Sequence, residues 1–170
     1  MILVVLGTEE VPFERALDRV MPLAALERMV IQHGSTPPRE DMAGVTWIRF
    51  TTYDRIVELC REASAVVCHA GVGTIMTALR TGKVPLLIPR LACFGEAVDD
   101  HQLQISAELA KRGLVVPLAD TDNIHAALRL TAAVCPPHER NDSFRRAVAE
   151  AVDGVNGSSV PRLAYAERGH

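Results

Sequence analysis

Aromatic residues are scarce in this 170-residue chain, at 4%: one Trp, two Tyr and four Phe. That is too few to build a platform on which nucleic-acid bases stack. Lysine is nearly absent, Lys83 and Lys111 being the only two, and arginine supplies the other cations. The formal net charge is -3 and no polybasic run occurs, which removes the electrostatic case for nucleic acid and for direct binding to anionic lipid. No apolar stretch approaches the ~20 residues of a membrane span. The opening Met1–Leu6 run is apolar but too short for the core of a signal peptide, and no basic segment precedes it. The four cysteines, Cys60, Cys68, Cys93 and Cys135, share no CxxC spacing. Cys68 lies within an apolar run, where a buried reduced thiol is the ordinary reading. These features together lead us to expect a cytoplasmic protein, with any membrane association supplied by a partner.

Several chemistries lack their motif. The first loop, Leu6-Gly7-Thr8-Glu9-Glu10, does not complete the GxGxxG of a dinucleotide fold, and no GxxxxGK[ST] phosphate loop occurs. No GxSxG elbow is present. No HExxH or clustered Cys/His set suggests a metal site, so no metal is expected. The adjacent carboxylates Glu9-Glu10 and Asp99-Asp100 do not by themselves make a hydrolase pair.

What is there is a pattern. The length suits one domain with a sizeable core, which we place at residues 1–153, followed by a polar, glycine-containing tail over 154–170. Apolar runs at Ile2–Leu6, Met29–Gln32, Val45–Phe50, Val66–Cys68, Pro85–Pro89 and Leu114–Leu118 read as strands buried on both faces. Between them, helical spacing appears over Phe13–Met29 (interrupted near Pro22), Asp54–Ala63, a stretch reaching Thr81, and Asp100–Arg112 with Gly113 as its stop. Asp120 or Thr121 can cap a further helix to about Thr131, and a last one is expected over His138–Val152. Strands alternating with helices predict an α/β fold: a Rossmann-like, doubly wound parallel sheet of about six strands. Ligands of such sheets bind at the carboxyl ends of the strands. Gly7-Thr8, His69–Thr74 and the loop after Pro89 all fall on that edge.

The richest stretch is Val66-Val67-Cys68-His69-Ala70-Gly71-Val72-Gly73-Thr74. It reads as a strand passing through a small-residue turn into a helix, with Thr74 at the N-cap. Backbone N–H groups at such a junction can face an anion, usually a phosphate. His69, at the strand's end, can donate to a phosphate oxygen while staying neutral at pH 7. It can equally be a satisfied, half-buried histidine, and Gly71 and Gly73 can be plain turn glycines. A second cluster, Gly95-Glu96-Ala97-Val98-Asp99-Asp100-His101-Gln102, opens a helix after the fifth strand. Asp99 or Asp100 can cap that helix, while His101 and Gln102 lie in its first turn, within reach of sugar hydroxyls.

These motifs occur in a telling order: His69-Ala70-Gly71-x-Gly73-Thr74, then Gly82-Lys83-x-Pro85, then Asp100-His101-Gln102. In that combination the chain resembles the C-terminal half of GT-B glycosyltransferases, closest to glycosyltransferase family 28, over about Met1 to Leu118. It is similar in particular to the separate catalytic subunits of split enzymes. Some of these extend a dolichol-linked precursor and others transfer sugars to undecaprenyl-diphosphate acceptors in bacterial exopolysaccharide synthesis. The Pro89–Gln102 stretch looks most like the exopolysaccharide group. The resemblance implies a UDP-sugar substrate with no cofactor and no metal. It implies a diphosphate held by Gly7, Thr8, His69, Ala70, Gly71, Gly73 and Thr74, and a donor sugar contacted by Glu96, Asp100, His101 and Gln102.

Family members commonly carry, eight positions after the motif histidine, a glutamate that accepts from both ribose hydroxyls. Here that position is Thr77, whose single hydroxyl cannot make the paired contact. Glu96 is then a candidate to hold the ribose. A whole GT-B enzyme has two Rossmann-like halves, so the resemblance further implies a membrane-associated partner subunit. That partner would bind a polyprenyl-diphosphate-linked acceptor, supply the catalytic base and keep this chain peripheral to the inner membrane face. The alternative from a different class is a non-catalytic nucleotide-sugar-binding regulatory subunit. A sugar-nucleotide epimerase would need a second domain, and a Rossmann oxidoreductase would need the missing glycine fingerprint.

Overall fold

Leu3 and Val5 face one side of the first strand and Ile2, Val4 and Leu6 the other, and all five are buried. Such two-sided burial is what a strand in the middle of a helix-covered parallel sheet requires. A computed structural model describes residues 1–39, 42–133 and 149–150. Six parallel strands are present: β1 (Ile2–Val5), β2 (Met29–Gln32), β3 (Val45–Ile48), β4 (Ala65–Cys68), β5 (Leu86–Leu87) and β6 (Val116–Pro117). Their order across the sheet is β3-β2-β1-β4-β5-β6, the doubly wound arrangement in which the chain reverses direction of travel beside β1. The register pairs Ile2 with Met29 on one side and with Ala65 on the other.

The helices are α1 (Glu14–Val20), α2 (Tyr53–Glu62), α3 (Val72–Arg80), α4 (His101–Lys111) and α5 (Ile124–Ala133). One face of the sheet packs Val5, Val66 and Cys68 against Leu59, Ile75, Ala78 and Leu109. The opposite face packs Val4, Ile31 and Val67 against Phe13, Leu17, Ile124 and Ala127. Each fully buried aliphatic side chain contributes about 2 kcal/mol relative to exposure. The two cores therefore hold the loops of the carboxyl edge on a rigid base. Cys68 is buried and unbonded, in line with the reduced thiol expected of it.

Several boundaries differ from expectation. The proline near residue 22 divides the first helical stretch into α1 and a 3-10 turn, Met21–Ala25, because a ring in place of N–H removes a helical bond. Regular pairing covers only Leu86–Leu87 and Val116–Pro117, since Pro85, Pro89 and Pro117 lack the donors a longer ladder needs. Helix α5 is capped by Asn123, whose Oδ1 accepts from the N–H of His125 and Ala126, and not by Asp120 or Thr121. Both α3 and α4 end as six-to-one turns closed by Gly82 and Gly113: Lys83 N–H donates to Ala78 and Leu114 N–H to Leu109. The expected helix over 138–152, the tail over 154–170 and Cys135 lie, apart from residues 149–150, outside the described residues.

Candidate functional site

At the carboxyl ends of β1 and β4, where the sheet reverses, a crevice of about 250 Å³ opens. Gly7, Thr8 and Glu9 line it from the β1–α1 loop, and His69, Gly71, Gly73 and Thr74 from the β4–α3 turn. Gln32, at the end of β2, and Thr51, after β3, complete the polar wall. The Gly7-Thr8 and His69–Thr74 segments, singled out in the sequence, thus meet in one place.

The turn is built around the His69 ring. Its Nδ1 lies 3.3 Å from the Val5 carbonyl. A carbonyl only accepts, so Nδ1 carries the proton and the neutral ring leaves a lone pair at Nε2. Burial holds the His69 pKa below its ordinary value. The Val5 carbonyl pulls the other way, Arg90 depresses it further, and Glu9 opposes. Two glycines give the ring its room. A Cβ on Gly71 would lie 2.3 Å from His69 Nε2, and one on Gly7 2.9 Å from the same atom. Gly7 also has φ +89°, where a side chain is strained. Ala70 is buried behind the turn.

The helix start falls earlier than the sequence suggested. Gly71 occupies the N-cap and Thr74 lies inside α3, with its N–H donating to Gly71 O. Val72 and Gly73 are therefore the residues whose N–H groups precede the first intrahelical acceptor. Together with the aligned peptide dipoles, equivalent to about half a positive charge, they give the crevice an anion-favouring end.

Two residues expected at the ligand are placed elsewhere. Thr77 is buried one turn into α3, its hydroxyl donating to Gly73 O at 2.8 Å, and it lines a groove between α2 and α3 with Tyr53, Arg61 and Arg80. Glu96 is 7% exposed and its carboxylate is occupied. Arg15 grips it with Nε at 3.0 Å and Nη2 at 2.7 Å, and Leu91 N–H donates to it at 3.1 Å. An acid so held, with Arg15 on both oxygens and Leu91 N–H on Oε2, is a structural tether that ties the β5–α4 loop to α1. Arg15 also meets Asp120 at 2.8 Å. Burial disfavours its charge, but the two carboxylates more than compensate, so its pKa is raised.

Asp100 Oδ1 accepts from Ala92 N–H and Gln102 Oε1 from Arg90 N–H, both at 3.0 Å. His101 is exposed, its Nδ1 2.9 Å from Asp99. Among the described residues no group of three His, Cys, Asp or Glu is arranged to hold a metal ion, and no helix is long and apolar enough to cross a membrane.

Sequence reasoning missed Gln32. Its side chain accepts from Gly7 N–H at 3.2 Å and donates to Gly7 O at 2.9 Å and Arg49 O at 3.0 Å. It fixes both backbone groups of the glycine that the phosphate reading relied on, so the Gly7 N–H is already committed. The only hint was a polar residue ending an otherwise apolar strand. Arg90 was also missed, although it is among the most deeply buried side chains of the molecule.

The model of the glycosyltransferase family 28 C-terminal domain matches residues 1–152. The chain belongs to this family. Among its relatives is a UDP-N-acetylglucosamine transferase subunit ALG13 of Yarrowia lipolytica, 27% identical over 129 residues, covering 67% of this chain and 63% of that protein. The corresponding subunit of Saccharomyces cerevisiae is 32% identical over 62% of this chain and 52% of its own length. A third is the UDP-N-acetylglucosamine–N-acetylmuramyl-(pentapeptide) pyrophosphoryl-undecaprenol N-acetylglucosamine transferase of Cupriavidus metallidurans, 25% identical over 91% of this chain and 40% of the enzyme. The family 28 chain thus spans roughly two fifths to two thirds of the length of these relatives. Its fold is that of an ALG13 solution structure, with TM-score 0.59, 21% identity, and coverage of 89% of this chain and 96% of the other. It is also that of part of the glycosyltransferase SnogD of Streptomyces nogalater, with TM-score 0.52, 18% identity, and coverage of 92% and 39%.

Proposed function

We propose that this family 28 domain is the donor-binding subunit of an inverting, metal-independent glycosyltransferase. It takes N-acetylglucosamine from UDP-N-acetylglucosamine and delivers it to a polyprenyl-diphosphate-linked sugar bound by a second, membrane-associated subunit. The observation that carries this reading is the uncommitted N-terminus of α3 opening beside His69 onto the crevice at the sheet's reversal point in a domain of this family. The named relatives support the sugar and the class of acceptor. An exopolysaccharide acceptor, which the Pro89–Gln102 stretch suggested, has no counterpart among these relatives.

The chemistry follows from what the crevice offers. An acceptor hydroxyl attacks the anomeric carbon, the bond from that carbon to the β-phosphate oxygen breaks, and the electron pair leaves on UDP. The Val72 and Gly73 N–H groups and the α3 dipole stabilise the charge growing on that oxygen, the task a metal performs in other transferases. The hydroxyl proton passes to a base on the partner subunit. Thr8 lines the crevice and is assigned the second phosphate, and His101 and Gln102, in the first turn of α4, are assigned the donor sugar. A second reading, a non-catalytic sugar-nucleotide-binding subunit, is favoured by Thr77, which offers no carboxylate to the ribose.

Reconstitution separates the two. The chain combined with a membrane-associated acceptor-binding subunit is expected to transfer labelled N-acetylglucosamine to a polyprenyl-diphosphate sugar, and neither component alone is expected to do so. Vigorous transfer by the isolated chain refutes the split arrangement. Binding without transfer in the combined system supports the second reading.

A further inference from the structure

Three consecutive backbone N–H groups after β5 are each met by a side chain. Arg90 N–H donates to Gln102 Oε1 at 3.0 Å, Leu91 N–H to Glu96 Oε2 at 3.1 Å and Ala92 N–H to Asp100 Oδ1 at 3.0 Å. The loop between β5 and α4 is thereby folded back on its own beginning, and the first turn of α4 is fixed relative to the sheet. Because a backbone N–H can only donate, it also fixes the Gln102 amide: the oxygen points inward and the NH2, with two donors, points away from it.

Beneath this loop lies the Arg90 side chain, almost wholly buried and 4.5 Å over the Phe13 ring. Its Nη1 donates to Val11 O at 2.8 Å and Glu96 O at 3.3 Å, and its Nη2 to Leu6 O at 3.3 Å. One guanidinium therefore ties together the end of β1, the β1–α1 loop and the β5–α4 loop. Among the described residues it forms no ion pair, and its Nε has no partner. Burying a cation with no hydrogen-bonded carboxylate is costly even with carbonyls and the Phe13 ring around it, and the Arg90 pKa is lowered chiefly by burial although Glu9 and Glu96 oppose that. What an apolar side chain cannot do is hold carbonyls of three separate segments with one rigid fork of donors.

We propose that Arg90 is a positioning residue for recognition of the donor sugar. It acts through the locked loop, which presents the Gln102 NH2 and the His101 ring toward sugar hydroxyls. The proposal rests on the nucleotide-sugar reading above. It makes the sugar contribution depend on Arg90 more strongly than the diphosphate contribution does: Arg90 braces the β5–α4 loop directly, reaches the Thr8 loop only through its flanking Leu6 and Val11 carbonyls, and gives the Gly71–Thr74 turn no hydrogen bond.

The test compares UDP with UDP-N-acetylglucosamine as probes, and reads amide hydrogen exchange of Arg90, Leu91 and Ala92 alongside. The wild-type chain is expected to bind the sugar nucleotide more tightly than UDP. Arg90→Met is expected to bind UDP within about threefold of wild type and to lose the gain from the sugar. Its Leu91 and Ala92 amides should exchange roughly tenfold faster while those of β1 and β4 stay protected. Arg90→Lys, which keeps the charge and most of the stem, should show the same pattern at smaller size and serves if the methionine variant does not fold. Gln102→Leu should lose the sugar gain with Leu91 and Ala92 still slow.

An Arg90 variant that keeps the sugar gain overturns the proposal. So does one that weakens UDP and UDP-N-acetylglucosamine in equal proportion. A wild-type chain that binds neither probe while the three amides are slow sinks the nucleotide-sugar reading, and the proposal with it, while leaving the locked loop standing.

Discussion

At the scale of single residues, His69 is the side chain on which most depends, and its protonation is set by its surroundings. Desolvation is the main cause that holds its pKa below the ordinary 6.5, with the Val5 carbonyl acting in the opposite sense. The unfolded chain therefore takes up a proton at a pH where the folded chain does not. It follows that His69 contributes its full stability above about pH 6.5 and loses it as pH falls below that value. Thermal unfolding of wild type and His69→Gln across this range should show wild type losing more stability on acidification. Identical slopes would mean that the ring is not held neutral. The same geometry bears on binding. With Nδ1 committed to Val5, Nε2 can donate to a phosphate only when the ring is protonated.

The histidine and its two glycines were legible in the sequence because a strand, a small-residue turn and a helix leave a local signature. Gln32 and Arg90 were not. Gln32 works through Gly7 and Arg49, 25 and 17 positions away, and Arg90 through Leu6 and Val11, 84 and 79 positions away, and no spacing rule carries that information. Glu96 shows the opposite failure. It sits among polar residues on the ligand edge, yet Arg15, 81 positions earlier, claims both of its oxygens.

At the scale of elements, apolar runs and breakers located the six strands and the five helices among the described residues in their chain order, but missed which residue caps the start of α3 and of α5. Thr74 looked like an N-cap because threonine commonly is one, but the turn places Gly71 there and needs its lack of a side chain for the histidine ring. The N-terminus of α5 offers a direct check. Asn123 accepts from two N–H groups of that helix, so Asn123→Ala should lower stability by about 1 kcal/mol. Thr121, exposed and outside the cap, should be replaceable by alanine at little cost. Denaturant midpoints of the two variants measure this, and equal losses would return the cap to the residues the sequence suggested. Pairing is shortest in β5 and β6, next to prolines. The loop that leaves β5 is correspondingly secured by side chains instead of by sheet.

At the scale of the whole molecule, the six-stranded sheet with its β3-β2-β1-β4-β5-β6 order places one polar crevice at the reversal point and presents it on the carboxyl edge. That edge is where the other half of a two-lobed transferase would have to stand to bring an acceptor to the donor. A net charge of -3 and two lysines give the chain itself little electrostatic attraction for an acidic membrane. Among the described residues, two apolar cores lie beneath the crevice, one on each face of the sheet. Donor binding is accordingly the activity the chain should show alone.

Titrating the isotope-labelled chain with UDP and following its backbone amide resonances tests this most directly. The largest shifts should fall on Thr8, Glu9 and residues 69–74. Gly71→Ala, whose Cβ would lie 2.3 Å from His69 Nε2, should weaken binding about tenfold, or ~1.4 kcal/mol. Shifts centred instead on the α2–α3 groove at Arg61, Thr77 and Arg80, or no shifts at millimolar UDP, would contradict the account.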